Sequence, residues 1–256
     1  MKPATTVTKV CRVLGEFHNR PNIGVTELAR KTDLLPSDVH RILNSLQLYG
    51  FVEQNPQNKT YRLGTGLLKL GLAAVQQTKL REAALPLLRK LSEQTEAASY
   101  LAIFDRRGLD IFLAGQVHVG EALPFKSRLG MAASAHGTAL GKAIMADIDR
   151  KTALAVLQKH GMPKCTQYTI TLLSDFEREL IKVSSRGYGL DLEESARGGC
   201  CIAASVRDVS GAVTGAISIS MSAHRFYNSA ESYLAGQVKL VAAEISSSVG
   251  YSSFPD

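Results

Sequence analysis

Residues 37–54, SDVHRILNSLQLYGFVEQ, decide the predicted fold of the amino-terminal part of the chain. Apolar side chains recur here with the period of an α-helix and form a single stripe along it. The stripe consists of Val39, Ile42, Leu43 and Leu46. Gly50 stands where a helix-ending glycine is expected, and Phe51-Val52-Glu53-Gln54 has the composition of a strand. The stretch therefore predicts a helix that leads into a strand.

The sequence on either side completes a small domain. Thr60-Tyr61-Arg62-Leu63 predicts a second strand, joined to the first by the turn-rich residues 55–59. Upstream, apolar residues at helical spacing predict a helix over 7–17 that ends at residues 19–22, and Thr26 is placed to cap a short second helix. Three helices followed by a hairpin predict a winged helix-turn-helix over residues 1–64.

The polar face of the third predicted helix is the candidate DNA-reading surface. Ser, Arg and Asn side chains suit base edges and phosphates in a major groove, and the amino-terminal end of such a helix enters the groove first. On the wing, basic side chains are placed to meet backbone phosphates. The candidates are Ser37, Asp38, His40, Arg41 and Asn44 on the helix, and Lys59 and Arg62 on the wing. The alternative is an ordinary solvated helix face.

Charge and composition support a polyanionic partner for this domain. The chain has 256 residues, 45% of them hydrophobic, which is enough for a packed core in each of two domains. The net charge is +7, and residues 1–66 carry +4 of it, with nine Lys or Arg against five Asp or Glu. A small basic module ahead of a larger, nearly balanced domain indicates a polyanionic partner for the module, although an unevenly charged, solvated surface is the alternative.

Other features exclude several classes of protein. No apolar run approaches the roughly 20 residues that span a bilayer, and the amino terminus lacks a signal-peptide pattern. The four cysteines have neither zinc-ligand nor disulfide spacing, and His118, His160 and His224 are isolated. We therefore expect a cytoplasmic protein with free thiols, no metal, no cofactor and no membrane partner.

Residues 65–78 predict a linker helix that is apolar on every side. Such a helix requires burial against several surfaces, most simply against its own copy in a homodimer. Its apolar side chains are Leu67, Leu68, Leu70, Leu72, Ala73, Ala74 and Val75. Burial against the chain's own second domain is the alternative. The prediction is a homodimer, and two such dimers could pair to form a tetramer.

Residues 79–256 combine strands and helices. Strands in antiparallel hairpins flanked by helices predict an α+β sensor domain, so the chain as a whole is predicted to be α+β. The predicted strands cover 99–104, 109–117, 188–191, 201–207 and 213–220, and the predicted helices cover 136–146, 150–160, 175–186 and 229–248. Glu193-Glu194, near Arg197, is predicted to be a solvated charge cluster.

Three stretches together have the order and spacing of a known family. The first is VHRIL at 39–43 followed by GFVE at 50–53, and the second is HGTALGKA at 136–143. The third runs from RGY at 186–188 through Asp191 and CIAA at 201–204 to GAISIS at 215–220. Over essentially its full length the sequence resembles the IclR family of bacterial transcription regulators. The resemblance implies a winged helix-turn-helix, a linker helix and a GAF-like effector-binding domain.

The resemblance also implies an effector site in the second domain. Carried over by position, the site consists of Ala139, Leu140, Asp191, Cys201, Ser218 and Ser220. Independently, Ser218 and Ser220 alternate onto one face of a strand, and the turn at Thr138 opens a helix whose free N–H groups suit a carboxylate. The alternative is that the serines only satisfy backbone groups. Ser134 and Leu140 depart from the family pattern, and the larger Leu140 narrows one side of the pocket.

These observations predict a ligand-responsive regulator that senses a small carboxylate and controls a catabolic operon. The main alternative is an enzyme with a nucleic-acid-binding appendage, in which Cys200 or Cys201, His136 and Asp191 form a nucleophile system. No local sequence around these cysteines has the pattern of a nucleophile turn, so we expect no catalytic residues. A constitutive DNA-binding protein with a purely oligomerising second domain is the third possibility.

Overall fold

The computed structural model describes residues 5–18, 20–76, 78–119 and 129–251. The chain divides into two compact units, residues 1–77 and 78–256. Asn19, Gln77 and the side chain of Val75, which belong to the predictions above, lie outside the described residues. No helix among the described residues has the length and apolar character needed to cross a bilayer.

The first unit contains the helices and hairpin that the sequence predicts. Helix α1 is followed by a 3-10 turn, two further helices, a two-stranded antiparallel sheet and a fourth helix. The elements are α1 (Thr5–Gly15), α2 (Val25–Thr32), α3 (Pro36–Leu48), β1 (Val52–Gln54), β2 (Tyr61–Leu63) and α4 (Thr65–Gln76). The apolar stripe of α3 packs into a core with Val13, Leu28 and Tyr61. This burial fixes which face of α3 remains outside.

Two helix ends in this unit have identifiable causes. Pro36 is the first residue of α3, where its missing N–H costs nothing because no intrahelical acceptor exists there. Gly50, at φ +66°, adopts the left-handed conformation just past the end of α3. The expectation that Thr26 caps the second helix is wrong, because α2 begins at Val25 and Gly24 occupies the capping position without a side-chain bond.

The second unit is a five-stranded antiparallel sheet with helices on both faces. The strands lie in the order β4-β3-β7-β6-β5, and β3 to β7 are Ala98–Asp105, Asp110–Val117, Gly189–Leu192, Gly199–Arg207 and Val213–Ser222. The remaining helices are α5 (Lys79–Thr95), α6 (Ala139–Asp147), α7 (Arg150–His160), α8 (Leu173–Arg186), α9 (Ala223–Tyr227) and α10 (Glu231–Ser248). The α+β prediction is confirmed.

Alternation along the strands divides the core of this unit into two layers. On one face, apolar side chains such as Leu101 and Ile219 pack with α5 and α10. On the other face, Tyr100 and Ala102 pack with α6, α7 and α8. Neighbouring residues of one strand therefore face opposite layers. The residues of β5, β6 and β7 that face α6 form the floor of the candidate site.

The start of α6 differs from the prediction of a helix from residue 136. Residues 135–137 form a turn, Thr138 has the extended backbone angles φ −121° and ψ 150°, and the helix begins at Ala139. The Thr138 hydroxyl accepts a hydrogen bond from the Gly141 N–H at 3.0 Å and donates one to the Ser134 carbonyl at 2.7 Å. This side-chain cap ends the preceding turn and starts the helix.

Candidate functional site

The outer face of α3 carries the candidate DNA-reading side chains. Val39 and Leu43 are fully buried, whereas Ser37, Arg41 and Asn44 on the opposite side are exposed. His40 is also exposed, and its Nδ1 lies 3.2 Å from the Asn44 amide nitrogen. The helix thus presents a polar, solvent-facing surface of the kind that contacts base edges.

Two of the predicted DNA contacts already have partners within the first unit. Asp38 pairs with Lys9 of α1 at 2.8 Å, and this hydrogen bond lowers the pKa of the Asp38 carboxyl. Arg62 donates two hydrogen bonds to Glu53 Oε2, at 3.1 and 2.8 Å. Among the described residues, neither Arg41 nor Lys59 is held in an ion pair. Within the part of the chain that the structure describes, Arg41 and Lys59 are therefore basic side chains of this surface that no ion pair holds.

The sequence missed two residues of this surface. Gln54 and Asn58 line a shallow polar cleft together with His40 and Lys59. Lys59 has φ +57°, and the hairpin turn is held by Asn58, whose Oδ1 accepts hydrogen bonds from the Thr60 N–H and hydroxyl. This turn therefore positions Lys59 on the wing. The composition of residues 55–59 predicts a turn but does not predict the roles of Gln54 and Asn58.

In the second unit, all seven predicted effector residues line one cavity of about 160 Å³. They are Thr138, Ala139, Leu140, Asp191, Cys201, Ser218 and Ser220. Most of the remaining wall is apolar. The sequence reading missed these further lining residues, which are Tyr100, Leu113, Met131, Ala132, Ala133, Ser195 and Ala196. A cavity of this size is comparable to the roughly 150 Å³ cavity that holds benzene in an engineered protein.

One wall of the cavity is the first turn of α6. The N–H groups of the first helical turn have no intrahelical acceptors, and the helix dipole gives this end a partial positive charge. The Gly141 N–H donates a hydrogen bond to the Thr138 hydroxyl, and the Lys142 N–H donates one to the Thr138 carbonyl at 3.0 Å. The N–H groups of Ala139 and Leu140, which both line the cavity, have no hydrogen-bond acceptor within the part of the chain that the structure describes.

The floor of the cavity includes residues of strands β6 and β7. Ser218 and Ser220 lie on the same face of β7, and both are nearly fully buried. Cys201 is paired in register with Ser220, and its Sγ lies 3.0 Å from the Ser220 Oγ. These hydroxyl groups can donate to or accept from a small polar ligand.

Asp191 brings a buried carboxyl group to the cavity. It is 1% exposed and accepts hydrogen bonds from the Glu194 N–H at 2.8 Å, the Ser195 N–H at 3.2 Å and the Ser195 hydroxyl at 2.5 Å. Burial raises the pKa of Asp191 above its ordinary value, and the three hydrogen bonds oppose that shift.

Behind Asp191 lies a buried ion pair that the sequence did not reveal. Lys142 is 1% exposed, and its Nζ contacts a carboxylate oxygen of Glu194 and donates to the Leu190 carbonyl at 2.9 Å. The expectation of a solvated Glu193-Glu194 cluster is therefore wrong for Glu194, which is only 7% exposed. The two partners are 52 residues apart in sequence.

The geometry does not support the nucleophile system that the enzyme alternative requires. His136 is committed elsewhere, since its Nδ1 lies 3.0 Å from the Ser134 hydroxyl and its Nε2 lies 3.1 Å from the Pro163 carbonyl. Burial raises the pKa of Cys201 well above its ordinary value and that of Cys200 to about 11. Both thiols are therefore protonated at neutral pH and are poor nucleophiles.

Comparison with known families covers most of the chain. A family described as the IclR helix-turn-helix domain matches residues 6–56, and one described as the bacterial transcriptional regulator IclR C-terminal domain matches residues 72–247. The second match alone spans more than half of the sequence and includes the whole cavity.

Individual relatives agree with these matches. The HTH-type transcriptional regulator KdgR of Dickeya chrysanthemi is 30% identical over 251 residues, which cover 98% of this chain and 82% of that protein. XynR of Escherichia coli is 28% identical over 248 residues, covering 96% and 97%.

Solved structures show the same fold. The Thermotoga maritima IclR structure superposes with a TM-score of 0.69 at 28% identity, covering 96% of this chain and 99% of that one. An IclR homologue from Microbacterium hydrocarbonoxydans, solved in complex with 4-hydroxybenzoate, gives a TM-score of 0.76 at 21% identity, with 96% and 99% coverage. The named relatives are transcriptional regulators rather than enzymes. This chain belongs to the IclR family of bacterial transcriptional regulators.

Proposed function

We propose that this regulator binds a small organic acid in the cavity of its second unit, and that the acid controls its binding to the operator of a catabolic operon. The observation that carries the proposal is that the residues at the start of α6 and the buried Ser218 and Ser220 line the same cavity of about 160 Å³. Donors on one wall and hydroxyls on the other suit a carboxylate.

The size and lining of the cavity narrow the class of acid. Apolar side chains such as Leu113, Met131 and Leu140 make up much of the wall, so the ligand has an apolar body of about the size of a benzene ring or less. The 4-hydroxybenzoate bound by the Microbacterium hydrocarbonoxydans homologue is an acid of this size. Monocyclic aromatic acids and short aliphatic acids are therefore the ligands to test.

The proposal for the first unit is that α3 enters the major groove of double-stranded operator DNA. Ser37, His40, Arg41 and Asn44 face the bases, and Lys59 on the wing contacts phosphate. Asp38 and Arg62 act through their ion pairs with Lys9 and Glu53, which orient α3 and the wing. We place this activity in the cytoplasm, where operator DNA is found.

The exposed linker helix supports a homodimer. Leu68, Leu70 and Leu72 of α4 are 59%, 55% and 55% exposed in the single chain. Pairing of α4 with its copy removes this apolar surface from water and brings two recognition helices to half-sites one or more DNA turns apart. Pairing of two dimers into a tetramer is compatible with this arrangement.

A Ser220→Ala substitution tests the effector site. We expect acid binding to weaken by about fivefold, because a buried hydroxyl contributes about 1 kcal/mol through its hydrogen bond. Isothermal titration calorimetry with benzoate, 4-hydroxybenzoate, pyruvate and lactate measures this effect, and benzamide is the uncharged control. Ser210→Ala, in an exposed turn, is the matched variant and is expected to bind like the wild type. Equal affinity of wild type and Ser220→Ala for every acid that binds would place the site elsewhere.

A further inference from the structure

The charges beside the cavity do not balance for an anionic ligand. Asp191 lies in the wall, and the Lys142–Glu194 pair lies behind it, all three being almost completely buried. With every group ionised, two carboxylates and one ammonium sum to one negative charge. A carboxylate ligand would add a second negative charge in a region shielded from water.

Lys142 compensates Asp191 only in part, because its positive charge lowers the pKa of the Asp191 carboxyl but its direct contacts are with other groups. Its ammonium group contacts Glu194 Oε1 and the Leu190 carbonyl. The other Glu194 oxygen, Oε2, is buried and accepts no hydrogen bond from any residue that the structure describes. The ammonium therefore pairs directly with Glu194, and no cation among the residues that the structure describes forms an ion pair with Asp191.

The other described residues that line the cavity with Asp191 carry no positive charge. Cys201, its register partner on β6, is a neutral thiol, and Tyr100 on β3 is the further titratable group that lines the cavity. The first turn of α6 supplies the equivalent of about half a positive charge. That partial charge offsets the ligand carboxylate only in part, so the repulsion from ionised Asp191 remains.

We propose that a carboxylate effector binds together with one proton, which Asp191 takes up from water and then shares with the ligand in a hydrogen bond. This inference rests on the proposed function and specifies how the same site is regulated. The protonated carboxyl of Asp191 donates through one oxygen to the ligand, while the other oxygen continues to accept from the Glu194 and Ser195 N–H groups. The complex then carries one negative charge fewer than it would carry with Asp191 ionised.

The proposal gives a definite pH dependence. Burial already raises the pKa of Asp191, and a neighbouring anion raises that pKa further in the complex. In the interval between the pKa values of the free and bound states, binding takes up a proton, so affinity falls as pH rises, by at most tenfold per pH unit. Below and above that interval the affinity is independent of the Asp191 proton.

Calorimetry of the full-length protein tests the proposal. Titration with the tightest-binding acid of the panel is repeated at intervals from about pH 5 to about pH 9, at each pH in two buffers that differ in ionisation enthalpy, and gives the number of protons taken up. We expect close to one proton for the wild type at the pH of steepest dependence. Asp191→Asn, whose amide mimics the protonated carboxyl, is expected to take up none and to bind with an affinity that does not change with pH.

Asp208→Asn is the matched control. Asp208 also accepts hydrogen bonds from the N–H and hydroxyl of a nearby serine, Ser210, but it lies in a turn outside the cavity. This variant is expected to retain the wild-type proton uptake. Acid binding by the wild type with no proton uptake between about pH 5 and about pH 9 would overturn the inference and leave the proposed function standing. Failure of every acid to bind would contradict the proposed function and this inference with it.

Discussion

Leu70→Glu is expected to convert the protein to a monomer and to reduce operator affinity by more than a hundredfold. Leu70 is 55% exposed in the single chain and lies on a helix with apolar side chains on every side. Burying a carboxylate at a paired apolar surface costs several kcal/mol, and a monomer loses the simultaneous contacts to two half-sites. Sedimentation equilibrium measures the mass, and fluorescence anisotropy measures operator binding.

Thr65→Glu is the control for this change. It places the same side chain on the same helix, at an exposed polar position in the first turn, where an acidic residue is favourable. We expect this variant to remain dimeric and to bind the operator like the wild type. A wild-type protein that sediments as a monomer at micromolar concentration would contradict the assembly that we propose for α4.

Arg41→Ala is expected to reduce operator affinity by about 5–150-fold, or about 1–3 kcal/mol, and to relax sequence preference at one base pair. Arg41 is exposed on the outer face of α3 and, among the described residues, has no ion-pair partner that would compete with a base. A bidentate contact with guanine is the common role of such a side chain. Binding to a set of singly substituted operators measures both effects.

Lys59→Ala separates base reading from charge. A phosphate contact weakens binding to all sequences alike and lowers the dependence of log K on log salt by about one. Its expected signature is therefore a uniform loss of affinity with unchanged preference. If Arg41→Ala showed this same uniform pattern, Arg41 would be a phosphate contact and would have no part in base reading.

Local pattern predicted the elements of both units. The helical period of Val39, Ile42 and Leu43 correctly gave the buried face of α3, and strands β3 to β7 lie within a few residues of the predicted ranges. The seven predicted cavity residues come together around one space. Most were identified from the family resemblance, since the strand pattern alone gave only the common face of Ser218 and Ser220.

Contacts between distant segments could not be predicted. Lys142 lies within the helical pattern of α6 and Glu194 lies in an acidic loop, and nothing in the sequence near either residue indicates that the two pair. Both side chains become buried only because β5 packs against α6. The pairing of Lys9 with Asp38 is of the same kind. At the start of α6 the apolar pattern extended the predicted helix back to residue 136, whereas the helix begins at Ala139 behind the Thr138 cap, in agreement with the turn that the sequence also predicts at Thr138.

The central claim is that an acid in the cavity changes operator binding by the other unit. A ligand shifts such an equilibrium only through its different affinities for the two states, typically by about 1–3 kcal/mol. The most direct measurement is operator binding by the full-length wild type, followed by fluorescence anisotropy during titration with an acid that calorimetry shows to bind. The account predicts a change of about 5–150-fold in operator affinity that saturates with occupancy of the cavity. An operator affinity that stays constant while the acid saturates the protein would contradict it.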